Sequence, residues 1–334
     1  MGRISVQNAV RGTVSFILTW TFLSCWQSEV LLEKRVSRQL ANLPILQPTP
    51  IKVDPNPMFS PYIFRTSKGF EMNYKAKRYM QLCDGQNPRY HAEFYTDEQS
   101  RDFVRYYYPE FADAYDQLPV PVMRADLWRY LVIHQFGGFY MDTDVQCRSP
   151  IDRWGRELLD HGSFSDTDTI GMMIGTEFCN CTANYGHQSG TIQFVQWIFG
   201  AKPKHPVLYR AAEIAIANAR RHNATDPLTV TGPVVFTQAI LEHFVANGAL
   251  TSDQIIWALG EGETHQVVNA AFVNCRERNA LVGDVAVLNK QAFGYHREHV
   301  NSPDWASEEL YVEHHFFGAW RKKRARRMRI RSTE

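Results

Sequence analysis

The sequence predicts an α/β domain built on a mixed sheet, and three observations predict it. Apolar, strand-like runs alternate with helical stretches between residues 59 and 141. One of these runs ends on two carboxylates one residue apart. The composition, 44% hydrophobic and 13% aromatic over 334 residues, supplies a core for one large domain or two small ones. No Gly-x-Gly-x-x-Gly and no P-loop occurs, which argues against dinucleotide oxidoreductases and ATPases.

The domain begins near Met58, after a stretch punctuated by Pro44, Pro48, Pro50, Pro55 and Pro57. Phe59 to Thr66 reads as the first strand, and Tyr90 to Tyr95, alternating and aromatic, as the second. Thr96-Asp97-Glu98 is a helix start, and an aromatic-rich helix is expected from Asp97 to Tyr115. Leu118 to Val122, with two prolines, loops into the stretch that organises the chain, Arg124 to Asp144. In its helical part Asp126 and Arg129 stand three apart and share a face, while Leu127, Trp128, Leu131 and Val132 supply packing. Gly137-Gly138 suits a helix C-terminus, where a residue without Cβ takes the left-handed conformation. Phe139, Tyr140 and Met141 then form a short strand, which Asp142-Thr143-Asp144 ends. Strand ends are where α/β sheets hold ligands, and this carboxylate pair is placed for a hard divalent cation. A second Asp-x-Asp, Asp166 to Asp168, lies in a polar run with no strand before it and reads as a solvated loop. Ala211 to His222 reads as an amphipathic surface helix with a structural role.

The residues carry a resemblance. Arg124-Ala125-Asp126, Arg129-Tyr130, Gly137-Gly138 and Tyr140-Met141-Asp142-Thr143-Asp144, continuing into Cys147-Arg148-Ser149-Pro150, resemble the Asp-x-Asp sugar-binding region of glycosyltransferase family 32. Gln193 to Trp197, Lys202 to Val207, Thr231 to Thr237 and Glu313 to Trp320 resemble its branch of fungal-type initiation-specific α-1,6-mannosyltransferases. Together these cover roughly residues 59 to 320. The chain departs from the family at Phe64-Arg65 and Ser67, where His-Gln and Trp are usual, so no base-stacking contact is carried over there.

The resemblance implies a single GT-A-like, Rossmann-like nucleotide-sugar-binding domain over 58–320. It implies metal-dependent, retaining transfer of a hexose, with mannose from GDP-mannose as the favoured donor and a protein N-glycan as acceptor. A nucleoside diphosphate leaves poorly until its charge is neutralised, which Mn²⁺ or Mg²⁺ on carboxylates can do. Oxygen ligands with one imidazole lean towards Mn²⁺. By resemblance Asp142 and Asp144 are the catalytic, metal-holding pair, and Asp126, Arg129 and Tyr140 contact the donor sugar. His315 is the expected third metal ligand, with His314 as the alternative. An oxocarbenium-like transition state is expected; no nucleophile can be named, and front-face attack with the departing phosphate as base is the working hypothesis.

Three other readings compete. In a haloacid dehalogenase-type phosphatase Asp142 would be the nucleophile and Asp144 the acid/base, leaving Asp126, Arg129 and the C-terminal His-His-Phe-Phe-Gly-Ala-Trp unexplained. A non-catalytic sugar-binding scaffold subunit would not need the carboxylates. A family relative with another acceptor or donor is the third, an inositol phosphoceramide mannosyltransferase or a UDP-galactose-type transferase.

Targeting signals point to the secretory pathway. Residues 12–28 are uncharged, follow Arg3 and Arg11, and as a helix span roughly 26 Å, near the thickness of a thin bilayer. No small-x-small cleavage site follows. The expectation is therefore a cytosolic tail (1–11), an uncleaved signal anchor (12–28) in preference to a removed signal peptide, a Pro-rich stem (29–57) and a lumenal body; with the resemblance this implies a single-pass type II Golgi membrane protein. Sequons at Asn180 and Asn223 agree with that. Of six cysteines Cys25 falls in the anchor, so at least one of the other five is unpaired or intermolecular in an oxidising compartment. The tail 321–334 carries eight basic groups and one acid, leaving the body acidic on balance; no nucleic-acid partner is expected, and the tail is solvated or meets anionic lipid or an acidic partner, such as within a Golgi transferase complex.

Overall fold

The computed structural model describes residues 58–155, 158, 170–179, 192–221, 225–251, 279–293 and 310–317. The expected anchor and stem, the sequons at Asn180 and Asn223, Asp166 to Asp168 and the basic tail lie outside the described residues. The chain divides into two units, residues 1–46 with 69–71 and residues 47–68 with 72–334, and every element below belongs to the second.

An eight-stranded mixed sheet forms the centre. Strands β1 (Tyr62–Ser67), β2 (His91–Thr96) and β3 (Gly138–Met141) run parallel, in the order β2-β1-β3. The order continues through β7 (Ile198–Ala201), β5 (Met172–Cys179), β9 (Val285–Leu288) and β8 (Ala280–Val282), with β6 (Ile192–Phe194) paired to β5. Strand β7 is antiparallel to both β3 and β5, and β5 is parallel to β9. A separate antiparallel pair joins β4 (Val145–Cys147) to β10 (Val312–His314).

Both faces of the central strands are covered, which explains why β3 and β9 read as continuous apolar runs, whereas the edge strand β2 alternates. Phe64, Tyr140, Ile174, Phe199 and Val287 enter one core, and Ile63, Phe139, Met141, Met173, Ile198 and Leu288 the other. Fully buried Trp128 and Trp154 anchor the two sides, each burial stabilising by roughly 2–3 kcal/mol. Phe59, expected in the first strand, precedes it and packs edge-on against Phe139, ring centroids 5.3 Å apart.

The helices follow local rules. In α1 (Tyr74–Gln86) the Asn73 side chain caps by accepting from the Lys75 N–H at 2.8 Å. Thr96 and Gln99 form a reciprocal capping box that starts α2 (Asp97–Tyr107). The single helix expected to Tyr115 is two, because Pro109 cannot continue α2 and instead opens α3 (Pro109–Gln117). Pro121, expected in a loop, likewise sits in the first turn of α4 (Pro121–Phe136). Gly137 ends α4 at φ 69°, its N–H reaching Ile133 O at 2.8 Å. Gly138 has φ 94°, and a Cβ there would lie 2.6 Å from Tyr62 O, so only glycine lets β3 press against β1.

Helices α5 (Pro206–Ala219), α6 (Pro227–Val230) and α7 (Pro233–Ala246) complete one layer. The expected surface helix from Ala211 starts earlier, at Pro206, and is largely buried, since it packs between α4 and α7. The stretch Pro227–Ala246 is apolar and long enough to cross a bilayer, yet most of it is buried in the core. A short α8 (Lys290–Phe293) packs against β5 and β10.

Candidate active site

The carboxylates follow from the ends of β3. Side chains alternate along a strand, so Tyr140 and Asp142 share the face covered by α4, and the Tyr140 hydroxyl donates to Asp142 Oδ1 at 2.5 Å. The backbone N–H of Asp142 donates to Trp197 O at 2.9 Å, extending the β3–β7 ladder by one step.

Helix α4 delivers the charged partners. Arg129 Nη2 lies 3.3 Å from Asp126 Oδ1 and 3.4 Å from Asp142 Oδ1, bridging the two carboxylates. Its guanidinium carbon stands 4.6 Å from the Tyr140 ring centroid, and Nη1 donates to Gln196 O at 3.2 Å. Asp126 and Arg129 are buried, 3% and 5% exposed, so neither charge is tolerable without the other. Burial pushes the Asp126 carboxyl up to about 6, against the pull of Arg129 and of the Thr231 hydroxyl, which donates to Oδ2 at 2.7 Å. Burial alone would lower Arg129; Tyr140, Asp142 and Asp126 outweigh it and hold the guanidinium firmly charged.

The C-terminal strand closes the other side. Antiparallel register pairs His314 with Val145, directly after Asp144. His314 Nε2 lies 3.1 Å from Asp144 Oδ1 and 3.9 Å from Asp142 Oδ2. Phe316, at φ 43°, turns the backbone so that the Phe317 N–H donates to Asp144 Oδ2 at 2.8 Å. A left-handed phenylalanine costs of order 1 kcal/mol or more, a strain that this contact offsets. Burial would raise the Asp144 carboxyl, but the hydrogen bond and electrostatic pull of His314, with the Phe317 N–H, bring it below its ordinary value. Trp197 stacks on the His314 ring at 4.4 Å and fixes its plane.

Asp142, Asp144 and His314 thus present two oxygens and one nitrogen within 4.8 Å of one another. Neighbouring ligands on a six-coordinate ion with bonds of about 2.1 Å sit about 3 Å apart, so small adjustments would let this donor set hold a divalent cation. Three buried polar atoms around it, Arg129 Nε, Trp197 Nε1 and His314 Nδ1, have no protein partner. Unpaired buried groups are costly, and these three sit on residues that touch the carboxylates or their imidazole, while Trp128 Nε1, Ser149 Oγ and His205 Nδ1 are unpartnered elsewhere.

The structure brings together Asp126, Arg129, Tyr140, Asp142 and Asp144. It does not bring the His315 side chain with them, although the sequence favours that residue; only its backbone N–H reaches Asp144, donating to the carbonyl oxygen at 3.0 Å. Its Nε2 lies 3.1 Å from Gln146 Oε1 and its ring stacks on Tyr79 at 4.1 Å, while His314 lies beside the carboxylates. Alternation along β10 is the reason: adjacent side chains point to opposite sides. Thr231, Gln196 and Trp197 have no role that the sequence names. Tyr130 links the first two, accepting from Gln196 Nε2 at 2.5 Å and donating to Thr231 O at 2.8 Å. The only sequence signal for them was their presence in the resembling segments.

Residues 73–159 match the family described as glycosyltransferase sugar-binding region containing DXD motif. The chain is 27% identical over 274 residues to the initiation-specific alpha-1,6-mannosyltransferase of Schizosaccharomyces pombe, covering 78% of this chain and 63% of that protein. It is 25% identical over 273 residues to the protein of the same name from Candida albicans, covering 76% and 68%. Inositol phosphoceramide mannosyltransferase 2 of S. pombe is 31% identical over 175 residues, covering 46% and 51%. The chain therefore spans about two thirds of the length of the first two relatives and about half of the third.

Proposed function

We propose that this chain, whose residues 73–159 carry the DXD-containing sugar-binding region of glycosyltransferases, is a metal-dependent retaining hexosyltransferase with a GT-A-like domain. Its donor is GDP-mannose and its acceptor a protein N-glycan, extended through an α-1,6 linkage. The observation that carries this is the convergence of Asp142, Asp144 and His314 at the end of β3, beside unpartnered buried donors. The donor is supported by similarity to two fungal α-1,6-mannosyltransferases across more than three quarters of this chain.

In this reading Asp142, Asp144 and His314 hold Mn²⁺, with Mg²⁺ as the substitute. When bound, the ion neutralises charge on the departing diphosphate. Asp142 is held by the Tyr140 hydroxyl and Arg129, and Asp144 by the Phe317 N–H, so little reorganisation is needed as charge develops. The donor sugar lies at the Asp142 end of this cluster. Asp126, Arg129 and Tyr140 are buried behind it and act chiefly by positioning that carboxylate. The same carboxylates stabilise an oxocarbenium-like sugar.

The reading also keeps a type II Golgi membrane protein with a lumenal body. A disulfide between Cys83 and Cys147 supports an oxidising compartment.

Thermal stabilisation by nucleotides tests the donor. GDP and GDP-mannose with Mn²⁺ are expected to raise the melting temperature, and UDP and UDP-galactose are not; stabilisation by the UDP pair alone would overturn the donor assignment. The match to an inositol phosphoceramide mannosyltransferase favours one second reading, in which the acceptor is that glycolipid precursor. Mannose transfer to inositol phosphoceramide but not to an N-glycan would establish it.

A further inference from the structure

We propose that His205, His243 and Asp284 form a second metal site, for Zn²⁺ or a similar borderline divalent cation, remote from Asp142. The three residues belong to three elements. His205 is the residue before α5, His243 lies in the last turn of α7, and Asp284 sits in the turn between β8 and β9. The sheet register gathers them. Ala201 pairs with Gly138 and with Met172, and Met172 pairs with Val285. Residues just after Ala201 and just before Met172 and Val285 therefore meet at the sheet end where β3 begins. Asp142 follows the end where β3 finishes, so the two clusters lie at opposite ends of the strand.

The donor atoms converge. His205 Nε2 is 3.2 Å from Asp284 Oδ2, His243 Nε2 is 2.8 Å from Asp284 Oδ1, and all three ligand atoms lie within 4.8 Å of one another. Ligand atoms around a tetrahedral zinc with bonds of about 2.0–2.1 Å stand roughly 3.3 Å apart, so small adjustments admit the ion. The imidazoles are well buried and the aspartate half-exposed, which gives the ion an entry side.

Two further features shape the cluster. His243 Nε2 is also 2.9 Å from the Asn247 side-chain amide nitrogen. An imidazole nitrogen cannot donate to Asp284 and accept from Asn247 at once. With the Asn247 amide turned so that its oxygen faces His243 Nε2, the conflict disappears and Asn247 becomes a further oxygen donor beside the three-residue set. Second, space at the cluster is kept for the carboxylate. A Cβ on Gly171 would stand 2.5 Å from Asp284 Oδ2 and 3.1 Å from His205 Cδ2. The chain also adopts a left-handed turn at Lys204, φ 64°, just before His205. Two imidazoles and one carboxylate carry a single negative charge when the imidazoles are neutral, and their mixed nitrogen and oxygen character suits Zn²⁺ better than Ca²⁺ or Mg²⁺. A cation here would tie α5, α7 and the β8–β9 hairpin together and link the fold to metal supply.

The test uses the full chain in an Asp142→Ala/Asp144→Ala background, which removes the first cluster from the count. The protein is stripped with chelator, dialysed, and titrated with Zn²⁺ by calorimetry and with Co²⁺ by visible absorption. One equivalent of Zn²⁺, four-coordinate Co²⁺ bands and a Zn²⁺-dependent rise in melting temperature are expected. Adding His243→Asn should weaken Zn²⁺ binding by at least about 100-fold, more than loss of an outer-shell partner costs. Asp284→Asn, at a half-exposed position, carries the same expectation if His243→Asn does not fold. Absence of Zn²⁺ binding in the background protein would overturn the site, as would binding that survives both added substitutions.

Discussion

His314 Nε2 faces Asp144 Oδ1 across 3.1 Å, although 170 positions separate the two residues. The contact exists because β10 pairs with β4 in a small sheet of its own and sets His314 opposite Val145. The carboxylates come from the end of a buried strand, and the imidazole comes from a segment near the far end of the chain. A cation bound among them would complete a link between the first and last parts of the fold.

Exchanging the two adjacent histidines separates ligand from neighbour. His314→Ala is expected to raise the Mn²⁺ concentration for half-maximal activity by at least about 10-fold, the lower range for disturbing a metal's surroundings. His315→Ala, which loses contacts to Gln146 and Tyr79, should change it less than about threefold by the same yardstick. A Mn²⁺ titration of donor turnover in both variants decides the matter, and equal effects would count against His314.

Asp126 is a buried anion beside a buried cation. Asp126→Ala leaves Asp142 as the remaining carboxylate beside Arg129 and removes the shorter of the two Thr231 hydroxyl contacts, so a stability loss of about 3–5 kcal/mol is expected. Asp126→Asn keeps the shape and one acceptor and should cost less. Urea denaturation midpoints at unchanged slope would show this ordering.

The Cys83–Cys147 disulfide closes 64 residues and joins α1 to β4, three positions after Asp144. Replacing both cysteines by serine should lower stability by about 3–4 kcal/mol. It should also loosen the Asp144 position, so weaker Mn²⁺ binding is the companion readout. Stability and metal affinity both unchanged would show that packing alone holds β4.

His134 provides a pH signature away from Asp142 and Asp144. Burial, then the charges of Lys204 and His205, pushes its imidazole down to about 4 from an ordinary 6.5. Its Nδ1 is 2.5 Å from the Tyr108 hydroxyl. The folded value lies below the unfolded one, so between these values the unfolded chain binds the proton more readily. Stability from this residue is full above about pH 6.5, falls as the pH drops towards 4, and levels below it. His134→Gln should flatten that part of the stability–pH curve.

Much of the architecture was legible in the sequence where local chemistry decides structure. Thr96-Asp97-Glu98 marked a helix start, Gly137-Gly138 marked a helix end, and the apolar run before Asp142 marked a strand. Errors arose where a single residue overrides a pattern. Pro109 split an expected helix, and Pro121 opened a helix where a loop was expected. Burial of α5 between α4 and α7 is a tertiary fact that amphipathicity on one side did not reveal. At the site, Asp142, Asp144, Asp126 and Arg129 could be named from local spacing and resemblance. The choice between His314 and His315 depends on the register of β10 against β4, a pairing across 170 residues that no local pattern encodes.

The most direct measurement is GDP release from GDP-mannose by the wild-type chain and by Asp142→Ala/Asp144→Ala, each with Mn²⁺ and with chelator. The expected result is release by the wild type with Mn²⁺, loss on chelation, and a fall of at least about 100-fold in the double variant, the scale for removing a principal transition-state charge stabiliser. Wild-type release that persists in chelator, or a double variant as active as the wild type, would contradict a metal-dependent transferase built on these carboxylates.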